Sequence, residues 1–305
     1  MIDQVKTRLF QHPARGSSQR LGKRHFDAVP RPQAVGSILC HSWAIQNAGV
    51  RKIQFGQALV SDRRQNAQRA RAKGDDEVKR FEVRGWFEET GIIAAVRVNS
   101  EEDALFAAQA VAEGGVVVIE IPLTVPQGVK VITQLVKSIP GIVVGAGGVA
   151  NPAIAQLCLD AGAQFLTSDG LRPAVVEFAS KQDVVVIPGA LTPTEVITAW
   201  EANSDFVKVV PCAQIGGETY IGSLHRMFPQ IPLVASGGVN QQNASNFILA
   251  GAVAIGVGRE LIPPDAIHRR QQDRIGELAR RFRGFVKAGR DHLAARARRS
   301  AGPQE

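Results

Sequence analysis

The sequence is poor in cysteine and contains no long hydrophobic run. Its 305 residues include three cysteines, at positions 40, 158 and 212, and none of them belongs to a C-x-x-C pair. A disulfide framework and a cysteine-based zinc site are therefore excluded, and a reducing compartment is favoured. No stretch reaches the roughly 18 consecutive apolar residues of a membrane span, and the N-terminus lacks the apolar core of a signal peptide. We expect a cytoplasmic protein with no membrane partner.

Histidine is also scarce, and its distribution does not suit a metal site. Three of the six histidines lie in the N-terminal quarter, and the other three fall within helical patterns (His225, His268, His292). Metal sites need several such side chains at one place, and in a barrel that place is the set of strand ends. The sequence therefore predicts no metal and no other cofactor.

The net positive charge of the chain comes from its N-terminal quarter. The formal net charge is +8, but residues 1–74 alone carry 14 Lys and Arg against three acids, which leaves −3 for residues 75–305. This segment mixes Pro, Gly, Gln, Ser and Arg without a sustained period of 2 or 3.6. We interpret residues 1–74 as a basic, disordered extension.

Two functional interpretations of this extension stay open beside that one. A basic arm can hold nucleic acid or an acidic partner by charge, but this segment lacks interleaved aromatic residues for stacking on bases. An organelle-targeting segment is also rich in arginine and poor in acids, but the prolines and the missing amphipathic helix argue against it. We expect no nucleic-acid partner.

From about residue 75, short β-branched runs alternate with amphipathic helical patterns. The strand-like runs begin at residues 92, 116, 142, 165, 184, 206, 232 and 253. Apolar strands separated by helices indicate a parallel sheet covered on both faces. Eight such units predict a (β/α)8 TIM barrel over residues 75–290, with a helix at about 76–89 plugging one end. The last amphipathic stretch covers 263–288, and a basic tail, 291–305, follows. The alternative is an open doubly wound sheet, but no G-x-G-x-x-G follows the first strand.

Three charged residues interrupt these apolar strands. Lys208 stands in the middle of FVKVV (206–210). Lysine is rarely buried without a partner, and burial favours the neutral amine that attacks a carbonyl carbon. A lysine on an edge strand could instead reach water, but a closed barrel has no edge strand. Lys208 is therefore the candidate Schiff-base nucleophile.

Glu120 and Arg97 are the other two charged residues. Glu120 is either an ion-pair partner of Lys208 or Arg97, or a proton shuttle beside an imine-forming lysine, and the two roles are compatible. Arg97, late in the first strand, has the charge to hold a carboxylate or a phosphate. Because the three residues lie on three different strands, they converge only if the barrel closes.

Glycine-containing loops follow three of the strands. Gly237-Gly238 and Gly258-Arg259 follow the last two, where TIM barrels most often bind phosphate through backbone N–H groups. Simple tight turns are the alternative. The loop 145–148, with Gly147 and Gly148, offers a further pocket of N–H groups.

These motifs, in this order, resemble the 2-keto-3-deoxy-6-phosphogluconate (KDPG) and 4-hydroxy-2-oxoglutarate (KHG) aldolase family. The resemblance runs from about residue 78 to 287. Its segments are GIIAAVR (91–97), VIEIPLTVPQ (118–127), VVGAGGV (143–149), AGAQFLTSDGL (161–171), IPGALTPTE (187–195), FVKVVPCAQIGG (206–217) and SGGV (236–239).

The resemblance implies a metal-independent class I aldolase that is usually a homotrimer. In such an enzyme Lys208 forms the imine with pyruvate, and Glu120 is the general acid/base. It further implies that Gly237-Gly238 and Gly258-Arg259 face the substrate phosphate, and we count Pro188 among the substrate-binding residues.

Two positions depart from the family pattern. Thr124 stands where many members have an arginine that helps to bind the pyruvate carboxylate, although the 2-keto-3-deoxy-6-phosphogalactonate branch also lacks that arginine. Gly148 stands where family members usually have a threonine that also helps to bind this carboxylate. Thr124, Arg97 and the N–H groups of loop 145–148 would then have to hold the carboxylate. Arg259 replaces a residue that is more often serine.

The expected reaction is reversible cleavage of a 2-keto-3-deoxy sugar acid to pyruvate and an aldehyde. We expect 2-dehydro-3-deoxy-6-phosphogluconate, which gives glyceraldehyde 3-phosphate, and consider 4-hydroxy-2-oxoglutarate, which gives glyoxylate. One alternative is a phosphosugar epimerase or isomerase, but such enzymes need metal-binding histidines or opposed acids at strand ends. The other is a non-catalytic trimeric relative, which Gly148 favours and which the presence of Lys208 and Glu120 opposes.

Overall fold

The computed structural model describes residues 80–300. The extension predicted to be disordered, 1–74, lies outside the described residues, and so do residues 301–305. Within the described part, no helix has the length and apolar character needed to cross a membrane.

Strands and helices alternate along the described chain. The strands are β1 (Ile92–Ala95), β2 (Val118–Pro122), β3 (Val143–Gly147), β4 (Phe165–Thr167), β5 (Val185–Ile187), β6 (Gly189–Ala190), β7 (Val207–Val209), β8 (Leu233–Ser236) and β9 (Ala254–Val257). The helices are α1 (Arg80–Thr90), α2 (Glu101–Glu113), α3 (Gly128–Ser138), α4 (Pro152–Asp160), α5 (Pro173–Lys181), α6 (Pro193–Glu201), α7 (Gly217–Met227), α8 (Ala244–Leu249), α9 (Pro264–His268) and α10 (Gln272–Ser300). A short 3₁₀ helix, Ala213–Ile215, precedes α7.

The sheet is a closed parallel barrel. Its strand order is β5-β4-β3-β2-β1-β9-β8-β7-β6, and every pair is parallel. Because β5 and β6 are two pieces of one run of chain, the order begins and ends on the same run. Pro188 separates the pieces, since it has no N–H to donate to a ladder. The predicted barrel is confirmed, with its fifth strand in two pieces, and the open sheet is wrong.

Local sequence explains where several helices begin. The Ser100 side chain accepts a hydrogen bond from the N–H of Asp103, and acidic residues fill the first turn of α2. In α6, Thr192 and Glu195 form a reciprocal capping box. These caps fix the residues at which α2 and α6 begin.

Helix α1 closes the amino end of the barrel, as the predicted plug does. Its Val83 and Phe87 pack against inward-facing residues at the start of the strands. The Phe87 ring lies 4.9 Å from that of Phe165 and 5.3 Å from that of Phe206, measured between centroids. Buried aromatic contacts of this kind stabilise the packing. The amino half of the barrel interior is therefore filled, which leaves only the carboxyl end for a ligand.

The C-terminal part of the fold differs from the prediction. The single amphipathic stretch expected at 263–288 is two helices, α9 and α10. Arg270 lies between them with a φ of +50°, a left-handed conformation that ends a right-handed helix. Helix α10 buries Ile275, Phe282 and Val286 and continues past residue 290 to Ser300.

Candidate active site

Strand parity brings charged and polar side chains into the barrel at one level. Lys208 lies two residues after the inward-facing Phe206, and Thr167 lies two residues after Phe165. Glu120 follows Val118 in the same way. Because side chains of a strand alternate between its two faces, all three point inward, just above the layer that packs on α1. The predicted convergence of Glu120 and Lys208 is therefore present.

The hydroxyl of Thr167 lies between Glu120 and Lys208. The Lys208 ammonium donates to Thr167 Oγ1 at 3.3 Å, and that hydroxyl donates to Glu120 Oε2 at 3.0 Å. These side chains are almost fully buried: Lys208 is 3% exposed, Glu120 4% and Thr167 1%. Among the described residues, no ion pair within 4.0 Å joins Glu120 to Lys208 or Arg97, so the ion-pair interpretation of Glu120 is wrong. The hydroxyl occupies the position where a direct contact would form.

Asp169 is the carboxylate in contact with Lys208. Its Oδ1 lies 3.2 Å from Lys208 Nζ and 4.0 Å from Arg97 Nη2. The Asp169 side chain is 63% exposed and that of Arg97 is 52% exposed, so this cluster opens to solvent. No role for Thr167 or Asp169 was predicted from the sequence. Their signal is the alternation Phe165, Thr167, Asp169, which continues the inward face of the fourth strand beyond its end.

Two glycines make room for these acids. A Cβ on Gly147 would stand 2.5 Å from Glu120 Oε1, closer than any packed side chain tolerates. A Cβ on Gly189 would collide with the backbone carbonyl of Asp169. Residues 145–147, predicted to form part of a loop, belong to β3, and Gly147 acts through the space it leaves for Glu120.

Pro188 holds the backbone beside Lys208 rather than presenting a side chain to solvent. It is buried between β5 and β6, and its carbonyl accepts the N–H of Lys208 at 2.9 Å. Without this bond the Lys208 N–H would have no ladder partner at the break in the fifth strand. Pro188 thus helps to fix the direction of the lysine side chain.

The two departures from the family pattern lie at the mouth of the barrel. Thr124 is exposed in the turn between β2 and α3. Gly148 is exposed after β3 with a φ of +73°, and a Cβ there would meet open space. The Leu123 N–H donates to the Gly147 carbonyl at 2.9 Å, so the turn after β2 is hydrogen-bonded to the end of β3.

The two predicted phosphate loops are neighbours. Ser236 of β8 pairs with Gly256 of β9, so the loops that follow these strands emerge side by side. Gly237 and Gly238 have φ values of +83° and +80°, which glycine adopts without strain. A Cβ on Gly237 would stand 2.8 Å from Pro211 Cα, so this loop packs too closely against the segment after β7 for a side chain there.

Arg259 lies at the rim of the phosphate loops. It follows Gly258 and is exposed, and its side chain forms no hydrogen bond or ion pair with the described residues. The Gly238 carbonyl is occupied by the amide of Asn243 at 3.0 Å. An anion at this rim would therefore meet a free guanidinium.

The buried thiols and the histidines provide no second reactive centre within residues 80–300. Burial raises the pKa of Cys212 to about 12 and that of Cys158 to about 11, so both are neutral thiols near pH 7. The three described histidines lie on helices, as predicted. Within this range no three His, Cys, Asp or Glu side chains are grouped in a way that could hold a metal ion.

Comparison with known proteins agrees with this geometry. Residues 83–278, well over half of the chain, match the family described as KDPG and KHG aldolase. The chain belongs to the KDPG/KHG aldolase family. The prediction drawn from the motifs is therefore confirmed, and the protein is an aldolase, a carbon–carbon lyase.

Two relatives in Escherichia coli K12 have different substrates in their names. The KHG/KDPG aldolase is 30% identical over 189 residues, which is 62% of this chain and 89% of that protein. The 2-dehydro-3-deoxy-6-phosphogalactonate aldolase is 30% identical over 208 residues, which is 68% of this chain and 98% of that protein. Because the two identities are equal, they do not distinguish between the substrates in these names.

A crystal structure of the Legionella pneumophila KDPG aldolase has the same fold. It holds pyruvate captured at low pH as a covalent carbinolamine intermediate. It superposes with a TM-score of 0.61 at 27% identity and covers 65% of this chain and 96% of that one.

Proposed function

We propose that this aldolase is a class I enzyme that cleaves a 2-keto-3-deoxy sugar acid to pyruvate and an aldehyde through an imine on Lys208. The observation that carries the proposal is a lysine side chain 4% exposed in a closed barrel, with its Nζ held by Thr167 and Asp169 at the open end. Burial of a lysine costs free energy, and a chemical role for its amine explains why the protein retains it there. The carbinolamine seen in the Legionella pneumophila relative supports the same chemistry.

The reaction begins when the neutral amine of Lys208 attacks the C2 carbonyl of the substrate. Loss of water gives a protonated imine, whose nitrogen accepts the electron pair of the breaking C3–C4 bond. A base removes the C4 hydroxyl proton as the aldehyde leaves, and the resulting enamine is protonated at C3 before water releases pyruvate. Glu120, buried and bonded to Thr167, is the acid/base for the C3 and C4 protons.

The remaining site residues bind the two ends of the substrate. Arg97, Thr124 and the backbone N–H of Gly148 hold the carboxylate, because they lie at the mouth beside Glu120. Backbone N–H groups of Gly237-Gly238 and Gly258-Arg259 hold the phosphate, which glycine allows to approach closely. We propose 2-dehydro-3-deoxy-6-phosphogluconate as the preferred substrate, with glyceraldehyde 3-phosphate as the aldehyde, and 4-hydroxy-2-oxoglutarate as a poorer one.

We also propose that the enzyme is a homotrimer, as the family resemblance implies. Sedimentation equilibrium of the full chain should give three times the 32.7 kDa chain mass. A monomer or dimer at enzyme concentrations used in assays would contradict it.

Trapping with borohydride tests the imine directly. Reduction in the presence of pyruvate should add the mass of a reduced pyruvyl group to the peptide that carries Lys208. Lys208→Ala should abolish the adduct, whereas Lys137→Ala, which removes an exposed lysine at the end of α3, should keep it.

A different site of labelling would contradict the assignment of Lys208. No labelling at all would contradict the imine mechanism.

A further inference from the structure

Asp169 lies closer to the reacting nitrogen than Glu120 does, yet the mechanism above leaves it unused. Its Oδ1 is 3.2 Å from Lys208 Nζ, whereas the Thr167 hydroxyl lies between Nζ and Glu120. Resting on the proposed imine chemistry, we propose that Asp169 is a second catalytic acid/base. It takes the proton of the Lys208 ammonium before attack and delivers it to the hydroxyl that leaves as water. Glu120 then serves only the carbon and hydroxyl protons of the aldol step.

The main chain that carries Asp169 is firmly held. The preceding Ser168 is 3% exposed; its hydroxyl donates to the Gly170 carbonyl at 2.7 Å, and its N–H donates to the Ile187 carbonyl at 3.3 Å. The missing side chain of Gly189 lets this turn approach the fifth strand. Positioning of this kind is what proton transfer to a defined atom requires.

The two carboxylates differ in their access to water. The Asp169 side chain is 63% exposed, whereas Glu120 is 4% exposed. The charged groups that face Asp169 are Lys208 from β7 and Arg97 from the end of β1, and Glu120 is linked to Lys208 through Thr167. A carboxylate between a reacting amine and solvent suits the steps that bring in and release water. A buried carboxylate suits the steps in which the substrate carbon must be kept from water.

The proton count closes without any other reactant. Asp169 carboxylate takes one proton from the Lys208 ammonium, and the free amine adds to the carbonyl carbon while the carbonyl electrons move to oxygen. A proton moves from that nitrogen to the oxygen and gives the carbinolamine. Asp169 then gives its proton to the hydroxyl, which leaves as water while the nitrogen lone pair forms the C=N bond. The products are a protonated imine, one water and the original carboxylate.

Two isotope exchanges of pyruvate separate the roles of the acids. Exchange of the ¹⁸O-labelled carbonyl with water, after subtraction of the spontaneous exchange measured without enzyme, reports formation and hydrolysis of the imine, and deuterium uptake at C3 measures proton transfer at carbon. Asp169→Asn should slow oxygen exchange on the order of 10²-fold, with no fall in deuterium taken up per oxygen exchanged. Glu120→Gln should instead lower that ratio. Asp183→Asn, an exposed aspartate at the amino end of the barrel, should change neither.

Chemical rescue distinguishes a catalytic carboxylate from a structural one. In Asp169→Ala, added acetate can enter the space of the lost side chain, because the residue lies at the open end. Acetate should accelerate oxygen exchange in this variant and leave wild type and Asp183→Asn unchanged.

The outcomes separate this proposal from the function on which it rests. Wild-type oxygen exchange in Asp169→Asn, or a slowed variant that acetate does not accelerate, would overturn the role of Asp169 and leave the imine chemistry intact. A wild-type enzyme that exchanges neither isotope would overturn both.

Discussion

The hydroxyl of Thr167 donates to Glu120 Oε2 at 3.0 Å in the interior of the barrel. Thr167 Oγ1 also accepts a hydrogen bond from the Lys208 ammonium at 3.3 Å. One side chain therefore links the two residues to which the aldol chemistry is assigned, and it holds the Glu120 carboxylate that would otherwise lack a donor in a buried place. An unsatisfied buried acceptor costs about 1–3 kcal/mol.

The first prediction concerns this hydroxyl. Thr167→Val keeps the shape of the side chain and removes its hydrogen bonds, so Glu120 should lose its position. We expect kcat to fall about tenfold, with KM changed less, because the lost bond costs about 1–3 kcal/mol. Thr167→Ser, which keeps the hydroxyl, should recover most of the rate in steady-state assays. If the valine variant is as fast as wild type, Thr167 does not position Glu120.

The second prediction concerns Glu120 itself. Glu120→Gln preserves size and hydrogen bonding but cannot accept the proton in the aldol step. Turnover should fall on the order of 10²- to 10⁴-fold, the usual effect of removing a positioned acid/base. Borohydride trapping at Lys208 should remain detectable, since the imine forms on Lys208 and not on the substituted Glu120. Turnover at the wild-type rate would leave Glu120 with a structural role only.

The third prediction concerns the substrate. Thr124 and Gly148 replace family side chains that help to bind the carboxylate, so the phosphate loops must contribute a larger share of the binding. Binding energy from a remote group can offset weak affinity at the reacting end. Phosphorylated keto-deoxy acids should therefore exceed unphosphorylated substrates such as 4-hydroxy-2-oxoglutarate in kcat/KM by at least roughly tenfold, or about 1.4 kcal/mol.

Thr124→Arg provides the matching control for this preference. A guanidinium can bind a carboxylate through two charge-assisted bonds, which are stronger than a bond from a neutral hydroxyl. This variant should have a lower KM for the unphosphorylated substrate, so the difference in kcat/KM between phosphorylated and unphosphorylated substrates should become smaller. Equal efficiency of the wild-type enzyme on both substrates would favour the short dicarboxylic keto acid.

The fourth prediction concerns the attachment of the plug helix. Arg80 donates to both oxygens of Asp205, at 2.8 and 3.0 Å, and Asp205 Oδ2 also accepts the Val186 N–H at 2.9 Å. Asp205 is 3% exposed, so its loss leaves these donors without a partner. Asp205→Ala should lower the free energy of unfolding by about 2–4 kcal/mol, measured in urea.

An exposed ion pair in the same helix serves as its control. Arg84 and Glu88 lie 3.1 Å apart with half-exposed side chains. Glu88→Ala should change stability by no more than about 0.5 kcal/mol, because solvent screens such pairs. If the two substitutions change the free energy of unfolding equally, the buried contacts of Asp205 contribute no more to stability than an exposed ion pair.

The alternation of strands and helices could be predicted because each element has its own local period. Apolar strands such as 116–121 and capped helices such as the one after Ser100 need no distant information. Lys208 and Glu120 stood out for the same reason, since a charge inside an apolar run is rare. The break at Pro188 and the left-handed Arg270 were missed, because the chain on both sides keeps the pattern of one continuous element.

The sequence by itself determined the fold class, the family and the places of Glu120 and Lys208 in strands, whereas Arg97, predicted late in the first strand, lies two residues beyond β1. Only the tertiary structure decided which of those residues touch. Thr167 and Asp169 stand 41 and 39 residues from Lys208, and their alternation with Phe165 indicates which face they share but not which residues they contact. They reach Lys208 because β4 and β7 flank the two pieces of the fifth strand, at a level fixed by the stagger of the strands. That stagger depends on hydrogen bonds among all the strands, so no single segment of the chain encodes it.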